Sequence, residues 1–493
     1  METIYVKTID PISQDLLRSA AQQGLKLNWE RYESLQPQDG FLRVGLSCPY
    51  GCLQGPCRID PFGRGPDRGL CGLERDGMVA AFLLRLSLHG ALEAMNGLSG
   101  PDKGCEVSWP EPLNTMVDRA LKNLGGNTLS LEEVYNSAFL LQRPMEPPER
   151  LILQALRLGV MTLGLLEQGH ALGDALGNPQ CKAGYGLLAG DDIVIGISGH
   201  PSRRFLKDVQ EEASRKSSIS VRLVSLGDLI PLNESLVPCA CTSGEAELVV
   251  SSGRIALLLA GPGADPSLPE LCRRLDVPLV KSQDVKKAEE LLSLARESSS
   301  SRPRGTFNPD PALVQEARIN RAAGGLEDLL KKNPAKKLAL LGGADTPQQS
   351  FGWIPVEVAS TLLGEGVLVA GWGDAALWML KGGLAAEERE YPARLLDDQQ
   401  GPLIALKAMA VQGKLQNLQG ICFTGLKACR DLAVALGLAS LGCKVCIAVP
   451  LPLWGSENVR TLLADRIAAG GGILAHFDHP PNAQELLEWF LKR

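Results

Sequence analysis

Four cysteines, Cys48, Cys52, Cys57 and Cys71, sit in the run LSCPYGCLQGPCRIDPFGRGPDRGLCG with the spacing C-x3-C-x4-C-x13-C. Four thiolates this close in sequence can hold one compact cysteine-ligated centre, either an iron–sulfur cluster or a zinc ion. Pro49, Gly51, Gly55, Pro56, Gly65, Pro66, Gly69 and Gly72 surround them and let the backbone wrap tightly around such a centre. Metal binding is the first chemistry to expect of this chain.

Helices and strands must position these thiols. Residues 77–95 put Val79, Leu83 and Leu86 on one helical face, and residues 147–167 repeat the pattern with Ile152, Leu156, Val160 and Leu163. Shorter helices are expected at 115–124 and 130–142. From about residue 190 the pattern changes to short β-branched runs alternating with helical stretches: 193–197, 219–225, 254–260 and 277–280. After a polar stretch at 297–311, expected as a linker, a second series runs through 337–343, 366–372, 420–425, 443–449 and 471–477. That alternation predicts parallel sheets with crossover helices. The expected fold is α/β: a helical domain over 1–188 with the cysteine loop at its front, then two doubly wound, Rossmann-like parallel-sheet domains over 189–300 and 312–493. Ligands of such sheets bind at the carboxyl ends of the strands, which here carry the glycine-rich runs GISGH (196–200), LLGGAD (340–345) and VAGWGD (369–374). None of these is a G-x-G-x-x-G or Walker loop.

The 493-residue chain is 45% hydrophobic and 22% charged with a net charge of −6. That balance argues against a nucleic-acid footprint. No apolar run is expected to span a membrane, the longest candidates such as 255–261 reading as buried strands. The N-terminus lacks a signal-peptide layout, and thirteen cysteines fit a reducing cytoplasm with metal-bound and free thiols rather than a disulfide scaffold.

The cysteine segment, together with several motifs downstream of it, resembles the nickel-dependent anaerobic carbon monoxide dehydrogenases and the related hybrid-cluster proteins. The residues that carry the resemblance are GPCRI (55–59), GLCG (69–72), DGMVAAFLLRL (76–86), ISGH (197–200), CTSGEAEL (241–248), PSLPEL (266–271) and LWGSEN (453–458), in the family's order. The resemblance implies that Cys48, Cys52, Cys57 and Cys71 hold a [4Fe–4S] cluster used for electron transfer, although the first gap is three residues where the family typically has two. A zinc knuckle stays as the alternative, with gaps of three and four looser than usual zinc spacing.

The family's nickel–iron–sulfur cluster fares worse. Carried over position by position, its histidine falls on His200 and one cysteine on Cys241, while three other cysteine positions fall on Gly263, Gly343 and Gly373. Cys422 is a further, loosely aligned ligand position. The family's catalytic lysine falls on Asn458, whose amide does not titrate near neutrality, and no acid–base histidine comes after the helix at 77–95. Nickel is therefore not expected, nor is CO oxidation. The family's second, subunit-bridging cluster is not expected either, because Ser47 precedes Cys48 and no cysteine occurs upstream.

Three functional readings are weighed, of which a genuine CO dehydrogenase is the one the missing ligand positions argue against most strongly, and two others stand before it. One is an electron-transfer or accessory iron–sulfur protein with one [4Fe–4S] cluster, serving a redox partner protein or a larger redox complex. The other is an oxidoreductase with a remodelled metal site built from His200, Cys239, Cys241 and Cys422 (or Cys429), acting on another small molecule. The family's habit implies a homodimer. Cys272 and Cys446 read as small buried hydrophobes, Cys443 and Cys446 are not expected to share a metal, and Cys105 and Cys181 stand alone.

Overall fold

A computed structural model describes residues 7–35, 40–96, 109–126, 128–142, 144, 146–172, 177–215, 220–302, 305–398, 400–477 and 479–492. The chain divides into two units, each assembled from separated segments: Met1–Ser34, Leu176–Gly325 and Ala344–Gly401 in the first, Leu35–Ala175, Leu326–Gly343 and Pro402–Arg493 in the second.

The first unit is built on a sheet whose described strands run in the order Leu368–Trp372, Arg394–Leu396, Gln315–Asn320, Gln180–Ala183, Cys239–Cys241, Val221–Leu226, Ile193–Ser198, Ile255–Ala260 and Leu279–Lys281. Neighbours pair in parallel, except that Gln180–Ala183 runs antiparallel to Gln315–Asn320. Ile193–Ser198 is buried at every position, as a strand covered by helices on both faces must be. The glycine-rich turn after it is fixed by close approach. Gly199 has φ +76°, and a Cβ there would lie 2.5 Å from the Ala264 nitrogen.

The second unit carries a parallel sheet in the order Ile473–His476, Lys444–Ile447, Leu418–Gly425 and Leu338–Gly343. The helix Cys429–Ser440 packs on this sheet, and the helices Arg75–Asn96 and Pro148–Leu172 pack on that helix and on each other. Glycines let their backbones touch: a Cβ on Gly159 would lie 2.7 Å from the Gly437 nitrogen. The face expected on the longer helix is realised, with Ile152, Leu156, Val160 and Leu163 at most 1% exposed.

The mixed α/β architecture with a helical N-terminal region agrees with the expectation, and the long apolar strands fall within a few residues of their expected positions. The strands without a counterpart in the sequence pattern are short or polar, such as Cys239–Cys241 and Gln315–Asn320 (QEARIN). The serine-rich start of the expected linker is helical through Ser301, because Ser298 is buried and its hydroxyl donates to the Ala256 carbonyl at 2.6 Å. Two helices, Arg75–Asn96 and Pro148–Gly169, are long and apolar enough to cross a membrane by length and composition, contrary to expectation. They are 61% and 83% buried inside the protein, and they serve as core helices of the second unit.

Candidate metal centre

The cysteine loop belongs to the second unit and is stitched by backbone bonds. The Cys48 amide donates to the Cys57 carbonyl at 2.8 Å and the Ile59 amide to the Leu46 carbonyl at 3.0 Å, so the segments around Cys48 and Cys57 lie side by side, antiparallel at Ser47 and Arg58. A second pairing, antiparallel at Arg68 and Glu74, carries Cys71 at its tip, with the Gly69 amide donating to the Leu73 carbonyl at 2.8 Å. Leu46, Ile59 and Leu73 are buried and anchor the loop, while Arg85 of the Arg75–Asn96 helix donates to the Pro49 carbonyl at 2.9 Å. The Asp60 carboxylate accepts the amides of Phe62 and Arg64 and holds the turn between the two pairings.

This scaffold crowds backbone around sulfur. The Leu70 amide approaches Cys57 Sγ at 3.4 Å. Gly55 and Gly69 pass so near that a Cβ on either would stand 3.7 Å from the same sulfur. Cys48 and Cys57 are partly buried, Cys52 and Cys71 exposed. Burial raises the Cys48 thiol, and the neighbouring Cys57 and Cys71 raise it further. Tyr50 stands in the same field: burial first, then Cys48 and Cys71, push its phenol to about 12. Its buried hydroxyl finds no hydrogen-bond partner among the described residues. An N–H aimed at a thiolate and a buried O–H without an acceptor are the groups that solvate the sulfurs of an iron–sulfur cluster. Among the described residues, no three His, Cys, Asp or Glu side chains close tightly enough to hold one metal ion.

The other candidate residues are placed differently. In the first unit the His200 amide donates to the Pro262 carbonyl at 2.8 Å. Cys239 is fully buried, its thiol pushed up to about 11 chiefly by burial, and it donates to the Cys241 carbonyl at 3.1 Å. Burial likewise holds the Cys241 thiol well above its ordinary value. Thiols kept protonated in this way are poor ligands and poor nucleophiles. In the second unit Cys422 lies opposite Cys446 on the neighbouring strand, both fully buried, with their thiols hydrogen-bonded to each other. Cys272 and Cys181 are buried as well, and Cys105 lies outside the described residues.

The glycines at the expected ligand positions have structural reasons of their own. Gly343 has φ +111°, and a Cβ there would lie 2.2 Å from the Gly425 carbonyl oxygen; Gly373 has φ +64° and opens the Gly373–Lys381 helix. Trp372, 5% exposed, packs its Cβ against Gly401, where a Cβ would come within 2.4 Å. Asn458 is engaged as a donor to Asp76 at 2.8 Å.

A second polar assembly, which the sequence did not announce, is centred on the CTSGE run of the first unit. Lys381 Nζ contacts both oxygens of Glu245 and one of Asp10, each at 2.8 Å, above the rings of Trp378 and Tyr185. Burial opposes this charge, but Glu245 and Asp10 outweigh it and raise the ammonium above its ordinary value. Asp374 accepts from the Ser243 amide and the Asp345 amide, both at 2.8 Å, and from the Ser243 hydroxyl. Burial, then the Asp374 charge, raise Asp345 well above the carboxylate range. Thr242 Oγ1 has one hydrogen but two carboxyl neighbours, Glu245 and Asp345. A proton on Asp345 satisfies both contacts.

No family model matches the chain. In sequence it is similar to carbon monoxide dehydrogenase 1 of Methanosarcina mazei, 46% identical over 90 residues, which is 18% of this chain and 14% of that protein. In fold it is similar to carbon monoxide dehydrogenase IV of Carboxydothermus hydrogenoformans (TM-score 0.76, 19% identity, 98% of each chain). It is equally similar to a nickel-free carbon monoxide dehydrogenase from Thermococcus sp. AM4 (TM-score 0.80, 19% identity, 99% of this chain and 97% of that one). The sequence match thus spans about one-seventh of the length of the curated relative, whereas the fold match spans the whole chain. The chain has the carbon monoxide dehydrogenase fold and resembles those proteins closely in one short stretch of sequence.

Proposed function

We propose that this is an iron–sulfur redox protein on a carbon monoxide dehydrogenase scaffold, with one [4Fe–4S] cluster held by Cys48, Cys52, Cys57 and Cys71 and no capacity to oxidise CO. The observation that carries the reading is the surroundings of those sulfurs: an amide aimed at Cys57 Sγ and a buried Tyr50 hydroxyl without a partner among the described residues, within the electrostatic reach of Cys48 and Cys71. Such a cluster supplies one-electron transfer. The protein supplies four thiolates, the donors that stabilise their charge, and a loop that leaves Cys52 and Cys71 at the surface, where an electron can enter or leave.

The donor set for a nickel–iron–sulfur cluster does not fit. Glycine offers no ligand atom, and at Gly343 the backbone leaves no room for any side chain. Asn458 cannot run an acid–base step. The remodelled site at His200, Cys239, Cys241 and Cys422 gains no support from its thiols: Cys239 and Cys241 are buried and raised, and Cys422 is buried and hydrogen-bonded to Cys446. A role as electron-transfer or accessory subunit in the cytoplasm goes with this reading.

Anaerobic purification and a count of iron, sulfide and nickel per chain test it. About four irons, matching sulfide and no nickel are expected for one cubane. Eight or more irons would support the second site, and stoichiometric nickel would overturn the reading.

A further inference from the structure

The amino ends of the second unit's parallel strands carry a row of lysines, in a chain whose net charge is −6. The run KKNPAKK (331–337) holds four lysines and no acidic residue. It closes the helix Gly324–Lys332 and leads into the strand Leu338–Gly343. The fold brings three more lysines to it. Lys414 donates to the Leu330 carbonyl, and Asn417 donates to the carbonyls of Pro334 and Lys336 at 3.3 and 3.4 Å. The entry to the neighbouring strand Leu418–Gly425 therefore lies against the run. Lys444 opens the next parallel strand, and its ammonium donates to the carbonyls of Trp489 and Lys492 at 2.6 and 3.0 Å, not to a carboxylate.

Little within the protein answers this charge. Glu327 and Asp328 stand 3.9 and 3.8 Å from Lys331, but Lys332 and Lys337 are exposed and enter no ion pair among the described residues. Burial, then the charge of Lys337, lower the Lys444 ammonium below its ordinary value. Like charges held together at a cost make a field that acts on something outside the molecule.

The residue types say what that is. No arginine occurs in 326–343 or 402–429. Lysine is a point charge that needs no fixed acceptor geometry, and it is depleted at protein–protein interfaces, where arginine and aromatic anchors dominate. A single-stranded nucleic acid needs open rings to stack on, and Lys444 Nζ already stands 4.6 Å over the Trp489 ring. Two aliphatic side chains are presented at the ends of the row instead: Val411, 56% exposed, three residues before Lys414, and Leu491, 48% exposed, beside Lys492. Scattered positive points with aliphatic side chains among them match a layer of anionic headgroups over hydrocarbon.

We propose that the lysines of 331–337, with Lys414, Lys444, Lys492 and the flanking Val411 and Leu491, seat the protein on an anionic phospholipid bilayer. Clusters of about 4–8 basic residues are what such a surface attracts. The attachment is peripheral, and no residue of the cysteine loop takes part, so it stands or falls apart from the metal centre.

The test is co-sedimentation of the full chain with vesicles of phosphatidylglycerol and phosphatidylcholine in equal parts, against vesicles of phosphatidylcholine alone. Binding is expected to the first and not to the second, and it should fall steeply as salt rises. Lys332→Gln combined with Lys337→Gln is expected to weaken it about 25-fold, about fivefold for each charge. Leu491→Ser is expected to weaken it severalfold at low and high salt alike. Both variants should keep the native thermal unfolding. No binding to the anionic vesicles, or native binding by either variant, would overturn the proposal. So would tighter binding to duplex DNA or to polyglutamate than to the vesicles, since a nucleic acid or an acidic protein would then be the occupant.

Discussion

The cysteine loop of the second unit and the Lys381–Asp345 assembly of the first are both dense in polar groups, and they are built on opposite principles. In the assembly every named group answers another. One ammonium meets two carboxylates, Asp374 accepts three donors, and a proton on Asp345 completes the contacts of Thr242. Burial makes that closure necessary, because an unpaired polar group in a poor solvent costs more than the pair gains. The loop is left open: two thiols face solvent, a buried hydroxyl has no partner among the described residues, and apolar side chains stand uncovered. A closed network shapes the protein that holds it, whereas an open one is shaped for something from outside.

The sharpest way to break this contrast is to remove one thiol. Cys57→Ser is expected to lose essentially all the iron, read by metal analysis and visible absorbance, while the thermal unfolding of the first unit is unchanged. Iron retained at the native level would put the metal centre elsewhere. The complementary change in the assembly is Lys381→Met, which leaves Glu245 and Asp10 without their counter-charge. A loss of about 3–5 kcal/mol is expected in denaturant unfolding, with iron content per folded chain unaltered.

A finer test exploits the proton on Asp345. Its folded-state carboxyl titrates above the ordinary range, so the folded protein binds a proton more tightly than the unfolded chain does. Stability from this group is therefore full below about pH 4 and falls as pH rises from there towards the raised folded value, by up to about 1.4 kcal/mol per pH unit. Asp345→Asn should flatten that fall and gain on the native protein as pH increases. A parallel pH dependence in the two proteins would remove the proton from Asp345. The smallest effect is expected at Tyr50. If its hydroxyl donates to cluster sulfur, Tyr50→Phe removes a hydrogen bond worth about 1 kcal/mol. A potentiometric titration should then find the couple lower by about 40 mV for one electron. An unchanged potential would leave the Tyr50 hydroxyl without that role.

The parts legible in the sequence are those with a strong local pattern. Cys48, Cys52, Cys57 and Cys71 declare themselves by spacing, the helix with Ile152, Leu156, Val160 and Leu163 by its period, and Ile193–Ser198 by its β-branched run. Gln315–Asn320 is not legible, because QEARIN has no apolar pattern and is a strand through its pairing with Gln180–Ala183 on one side and Arg394–Leu396 on the other. The Lys381 assembly is hidden for a related reason. Aspartate, glutamate and lysine read as surface residues one at a time, and only their meeting makes burial tolerable.

By itself, then, the sequence determined the four-thiol spacing, the α/β alternation, and glycine at 263, 343 and 373, where the resemblance implies ligands, since residue types and spacing are local properties. Tertiary structure alone decided which cysteines are raised and sealed in the core and which lie open at the surface. It also decided that a Cβ at Gly343 would strike the Gly425 carbonyl, that the Tyr50 hydroxyl finds no partner among the described residues, and that Lys381 meets Glu245 136 residues away in the chain. Solvation and pairing depend on what packs around a group, and that is set by residues far from it in the chain.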